Sequence, residues 1–123
     1  VLWNLENRSP SNLSSPLVVG KKLFVVKAGG LSSCFEIEQG KTLWQLGRIR
    51  NLGDYYASPI AADGKIFVAG RNGFVVVLED SPELKVLARN DMEAEVLATP
   101  SIAEGRLYIR TREKLYCIAA DAK

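Results

Sequence analysis

Cys34 and Cys117 are the only thiols in the sequence, far apart along the chain, with no CxxC or other metal-binding spacing. Two such residues could form a redox pair or could be small buried hydrophobes. There is no histidine. This removes the commonest general base, the imidazole metal ligands, and the Ser–His and Cys–His nucleophile systems. Asp63-Gly64-Lys65 and Asn72-Gly73-Phe74 lack the spacing of a calcium loop, no GxxxxGK[ST] occurs, and both read as turns. The residues left are cationic and aromatic. Arg48 and Arg50 precede Tyr55 and Tyr56 in "GRIRNLGDYYAS", and Arg71, Asn72, Arg110 and Arg112 follow. Arginine and tyrosine are favoured at interface hot spots. These eight residues are the candidate binding face, with an ordinary solvated loop over a packed tyrosine as the plainer alternative. No catalytic residue, metal ligand or cofactor is expected, and the chain reads as a non-enzyme.

Composition tilts against catalysis without naming a ligand. The chain has 123 residues, within the range of one domain, and is 47% hydrophobic. Sixteen basic and 14 acidic residues leave a formal net charge of +2, far from the basic excess of a nucleic-acid binder. The apolar run "FVVVL" at 74–78 is too short to span a bilayer, so no membrane insertion is expected. The chain opens on "VLWNL" with no charged start before an apolar segment. Any export signal is therefore expected in a longer precursor, and the compartment stays open.

The residues are positioned by a repeat. Pro16, Pro59 and Pro100 recur at near-equal spacing, preceded by Ser15, Ser58 and Thr99. Turns follow at Gly20-Lys21, Asp63-Gly64 and Glu104-Gly105. An apolar strand comes next, with aligned columns Leu23/Ile66/Leu107, Phe24/Phe67/Tyr108 and Val25/Val68/Ile109. A second turn holds Gly29-Gly30, Asn72-Gly73 or "TREK", and a third strand reads "SCFEIE", "FVVVLE" or "LYCIAA". Cys34, Val77 and Cys117 share a column there. The fourth element is "KTLWQL" in the first unit and "LKVLAR" in the second. Its counterpart at the start is "VLWNL", where Trp3 stands one period before Trp44.

The order is therefore one fourth strand (1–6), a full unit (14–47), a second full unit (57–90) and three strands of a third (98–120). Asp-Gly and Asn-Gly are expected to supply the positive φ of two-residue hairpin turns. β-branched and aromatic residues fill the segments between. Residues 90–98, "NDMEAEVLA", have the best helix composition but read as a loop running into a strand. Twelve strands in a repeat of this length, in the class of about 40–45 residues per four-stranded unit, predict an all-β chain. The expected fold is a β-propeller segment of about three four-stranded antiparallel blades.

"CFEIEQGKTLWQL" resembles the repeat of pyrroloquinoline-quinone-like (PQQ-like) propellers, in which an acidic residue, a Gly-Lys turn and a tryptophan follow the third strand. Here these are Glu36 or Glu38, Gly40-Lys41 and Trp44. The "SP…DGK" opening of Ser58, Pro59 and Asp63 to Lys65 belongs to the same pattern. The second unit departs from it, with "LEDSPELKVLA" lacking the Gly-Lys turn and Leu87 in the tryptophan's place. The resemblance implies that Trp3 and Trp44 dock blade on blade. It also implies a binding face built from the loops between the fourth and first strands and between the second and third. It suggests two further identities: part of a quinone-dependent dehydrogenase, or a scaffold in an envelope assembly machine. The family's dehydrogenases use adjacent cysteines, which this chain lacks, and its frequent export suits a periplasmic home.

Propellers have four to eight blades, so three blades imply partners. These are either the remaining blades of a longer chain or a second copy, giving a homodimer of six blades. In the homodimer, residues 1–5 would complete the partner's third blade by strand exchange. A separate protein partner is also expected. Arg110 departs from its column, where Val26 and Ala69 stand. It either faces an anionic ligand in the channel or is tied to a nearby carboxylate.

Overall fold

The computed structural model describes residues 3, 14–50, 52, 57–96 and 98–119. Of the candidate residues, Tyr55 and Tyr56 lie outside these, as does the proposed strand 1–6 except for Trp3. The described residues form eleven strands, one 3-10 turn and no α-helix.

The first sheet contains β1 (Leu17–Val19), β2 (Lys22–Lys27), β3 (Leu31–Glu36) and β4 (Thr42–Arg48), antiparallel in that order. The second repeats it with β5 (Ile60–Ala62), β6 (Lys65–Ala69), β7 (Phe74–Glu79) and β8 (Val86–Asp91). The third has β9 (Ser101–Ala103), β10 (Arg106–Arg110) and β11 (Leu115–Ala119). Among the described residues, no fourth strand lies against β11.

Local chemistry sets these boundaries. Asp63 and Gly64 both have positive φ (53° and 71°), as do Glu104 and Gly105 (53° and 76°). These are the conditions for a two-residue turn whose twist matches the flanking strands. The Asn72-Gly73 expectation needs correcting. β6 ends at Ala69 and β7 begins at Phe74, and within this four-residue loop Gly73 has positive φ while Asn72 does not. Asn72 instead accepts the Phe74 N–H on its side-chain oxygen at 3.2 Å, a local bond that competes with the tight turn. Likewise Asn90 and Asp91 still pair in β8, so the loop begins at Met92, later than expected.

Two apolar cores hold the sheets together. Phe24 and Val26 of the first sheet meet Ile66, Val68, Val76 and Leu78 of the second, with Ile49 and Leu52 from the connecting segment. Ala69 and Val75 of the second meet Ile109 of the third, with Ala57 and Val96. Because strand side chains alternate, β6 serves both cores, Ile66 and Val68 on one face and Ala69 on the other.

Candidate functional site

Most of the arginines expected on the loop face are already engaged. Arg48 donates from Nη1 to the carbonyl of Gly29 at 3.0 Å, linking β4 to the neighbouring turn. Arg71 donates from Nε to Glu95 Oε2 at 3.2 Å, and Arg112 from Nη1 to Glu95 Oε1 at 3.0 Å. The Arg112 N–H also binds the Glu95 carbonyl at 2.8 Å. One carboxylate thus joins equivalent turns of the second and third sheets. Nothing in the sequence sets Glu95 apart, because both its partners are distant along the chain. Arg50 and Arg110 are both exposed. The Arg110 side chain has no hydrogen bond or ion pair among the described residues.

The hydroxyl column before the prolines has a role that its composition did not reveal. Ser15 N–H donates to Ser58 Oγ at 2.9 Å, and Ser58 N–H to Thr99 Oγ1 at 2.8 Å. Each hydroxyl takes the backbone donor of its counterpart one unit earlier, so successive first strands are joined by one repeated bond.

The two tryptophans occupy one column but make different contacts. Trp3 donates from Nε1 to the Ile37 carbonyl at 2.6 Å. A Cβ built on Gly40 would lie 2.6 Å from the Trp3 ring, so only glycine lets the indole lie against that turn. Trp44 instead donates to Ser32 Oγ within its own sheet at 3.1 Å and meets the edge of Phe24 at 6.1 Å between centroids. It packs at the margin of the core between the first two sheets. The second unit lacks the Gly-Lys turn, and Leu84 fills the space beside Gly47.

The thiols also diverge. Cys34 is buried, and its burial pushes the thiol up from 9.0 to about 11, while Cys117 in the same column is exposed. They belong to different sheets and both are free. Among the described residues, no three of Cys, Asp and Glu are grouped to hold a metal ion. These donors do not fit a calcium-and-quinone site.

No family model and no curated sequence matches the chain. Solved structures do. BamB from Moraxella catarrhalis superposes with a TM-score of 0.74 and 23% identity over 95% of this chain and 36% of that one. The europium-containing methanol dehydrogenase gives a TM-score of 0.66 and 17% identity over 89% and 22%. A quinohemoprotein alcohol dehydrogenase from Pseudomonas putida HK5 gives 0.65 and 12% over 79% and 16%. This chain folds as three blades of a β-propeller. The arc spans about a third of the BamB chain and less of the dehydrogenases. Val18 (63% exposed) is on the first blade and Leu115 (72%) on the third, which among the described residues have a neighbouring blade on one side only, while Leu87 (47%) lies on β8 of the second.

Proposed function

We propose that the chain is a non-catalytic arc of a β-propeller that acts as a binding scaffold for protein. The carrying observation is the contrast within single repeat columns. Cys34 and Val77 are buried where another blade follows, while Cys117, on the outer face of the third blade, is exposed. A sheet face that exposes apolar side chains beside Arg106 and Arg110 suits protein contact. The loop arginines support the same reading, since Arg48, Arg71 and Arg112 hold turns and blades together. No helix among the described residues is long and apolar enough to cross a membrane.

The test is incubation with pyrroloquinoline quinone and calcium, desalting and an absorbance scan. The scaffold reading expects no retained quinone. Retention would overturn it in favour of the second reading, a segment of a quinone-dependent dehydrogenase, which the fold of two neighbours favours.

The scaffold reading has a self-assembling form. A second copy would close a six-bladed ring, its residues 1–5 adding a fourth strand to β11. The seat of Trp3 on the first blade supports this, because it is where the last strand of a preceding blade would dock. An envelope assembly scaffold, implied by the family resemblance, is a further form of the same reading.

A further inference from the structure

Among the described residues, both ion-pair contacts that cross between blades have the same polarity. At the first joint, Lys22 Nζ of the first blade lies 2.7 Å from Asp80 Oδ1, in the turn after β7 of the second. That oxygen is buried and accepts no well-aligned hydrogen bond, so the ammonium balances it mainly by charge. At the second joint, Arg71 of the second blade meets Glu95, in the segment entering the third. In each case the earlier blade supplies the cation and the later one the carboxylate.

The third blade's outer face repeats the cationic half of the first contact. Arg106 stands in the column of Lys22 and Lys65, while Arg112, in the column of Arg71, is already paired with Glu95. In the first two blades the cross-strand partner of that column is acidic, Glu36 opposite Lys22 and Glu79 opposite Lys65. Opposite Arg106 it is Ala119. Arg110 replaces Val26 and Ala69, residues buried by the next blade at the other joints. Arg106 and Arg110 have no ion pair among the described residues. A guanidinium covered by a sheet without a carboxylate would pay a large desolvation penalty, so a partner that covers these two must supply acids.

We propose that the outer face of the third blade, with the open edge of β11, docks a blade-like antiparallel sheet of specific chemistry. That sheet is apolar opposite Tyr108, Leu115 and Cys117, carries a carboxylate in the place of Asp80 and another opposite Arg110, and has a hydroxyl in the place of Thr99. This rests on the scaffold reading above and gives the partner its chemistry. The first blade of a second, unaltered copy matches less well, because Ile37 occupies the place of Asp80. Its backbone N–H bonds the Lys21 carbonyl just as Asp80 bonds that of Gly64.

The full chain can supply its own probe. Ile37→Asp places the missing carboxylate on the first blade, making one molecule both donor and acceptor. Sedimentation velocity over a concentration series should show Ile37→Asp associating at concentrations at least tenfold lower than the unaltered chain. Adding Arg106→Glu to the same chain should return it to the unaltered behaviour. Equal association with and without Ile37→Asp would overturn the proposal, as would association that Arg106→Glu leaves intact. Should Ile37→Asp fail to fold by circular dichroism, Ile37→Glu supplies the same charge and is read the same way. Quinone retention is a separate result, so the failure of this inference and that of the scaffold reading can be told apart.

Discussion

Val75 and Leu115 occupy the same place in successive blades, facing the last residue of the second strand, yet Val75 is 2% exposed and Leu115 72%. The difference is the blade that follows. Truncating Val75 to Ala should therefore cost about 2 kcal/mol through lost burial and a small cavity. Leu115→Ser should change the stability of the free chain by less than about 0.5 kcal/mol. Urea titrations of both variants check the contrast, and equal losses would mean that Leu115 is already covered.

Gly40 and Gly64 have nearly the same φ, 72° and 71°, but different surroundings. A Cβ on Gly64 meets nothing within 4 Å, while one on Gly40 strikes the Trp3 ring. Gly64→Ala should cost only the left-handed backbone penalty, about 1–2 kcal/mol. Gly40→Ala should cost at least about 1 kcal/mol more, because it also displaces the indole. Combining each with Trp3→Ala should make the two costs equal, as a double-mutant cycle measures.

Glu95 serves two guanidinium groups at one joint. Glu95→Gln should lower stability by roughly 1 kcal/mol, with the difference shrinking as salt rises, because the pairs are partly exposed and screened. Thermal unfolding at low and high ionic strength would show this. A salt-independent loss would point to the Glu95 backbone contacts instead.

Cys34 gives the chain a pH dependence of known sign. Its thiol keeps its proton in the fold to about 11, against 9.0 for the free group. Stability from this group is therefore constant below about pH 9 and falls between about 9 and 11, as the unfolded thiol ionises first. The full loss is about 2–3 kcal/mol. Cys34→Ala should flatten that interval in pH-dependent denaturation. Cys117 should react with a maleimide far faster than Cys34 in the native chain.

Much of the architecture could be read from single residues. Pro16, Pro59 and Pro100 set the period, and Asp63-Gly64 specified its turn, because both signals are local in sequence. The Asn72 loop departs from its expectation because an Asn-Gly pair suits both a two-residue turn and a longer one bonded through the side chain. The candidate face was only partly legible. Arginine type and loop position nominated Arg71 and Arg112, but their tie to Glu95 depends on how two blades pack, which no local pattern encodes. The hydroxyls of Ser58 and Thr99 were visible as a column, and only the structure gave them donors one blade away.

The most direct measurement is native-state hydrogen exchange along β11, compared with β3 and β7. Since no described strand pairs with its outer edge, β11 should show rapid exchange at the amides that point away from β10, while the paired amides of β3 and β7 stay protected. Uniform protection of β11 in the dilute free chain would contradict the account, because it would mean that the proposed docking edge is already filled.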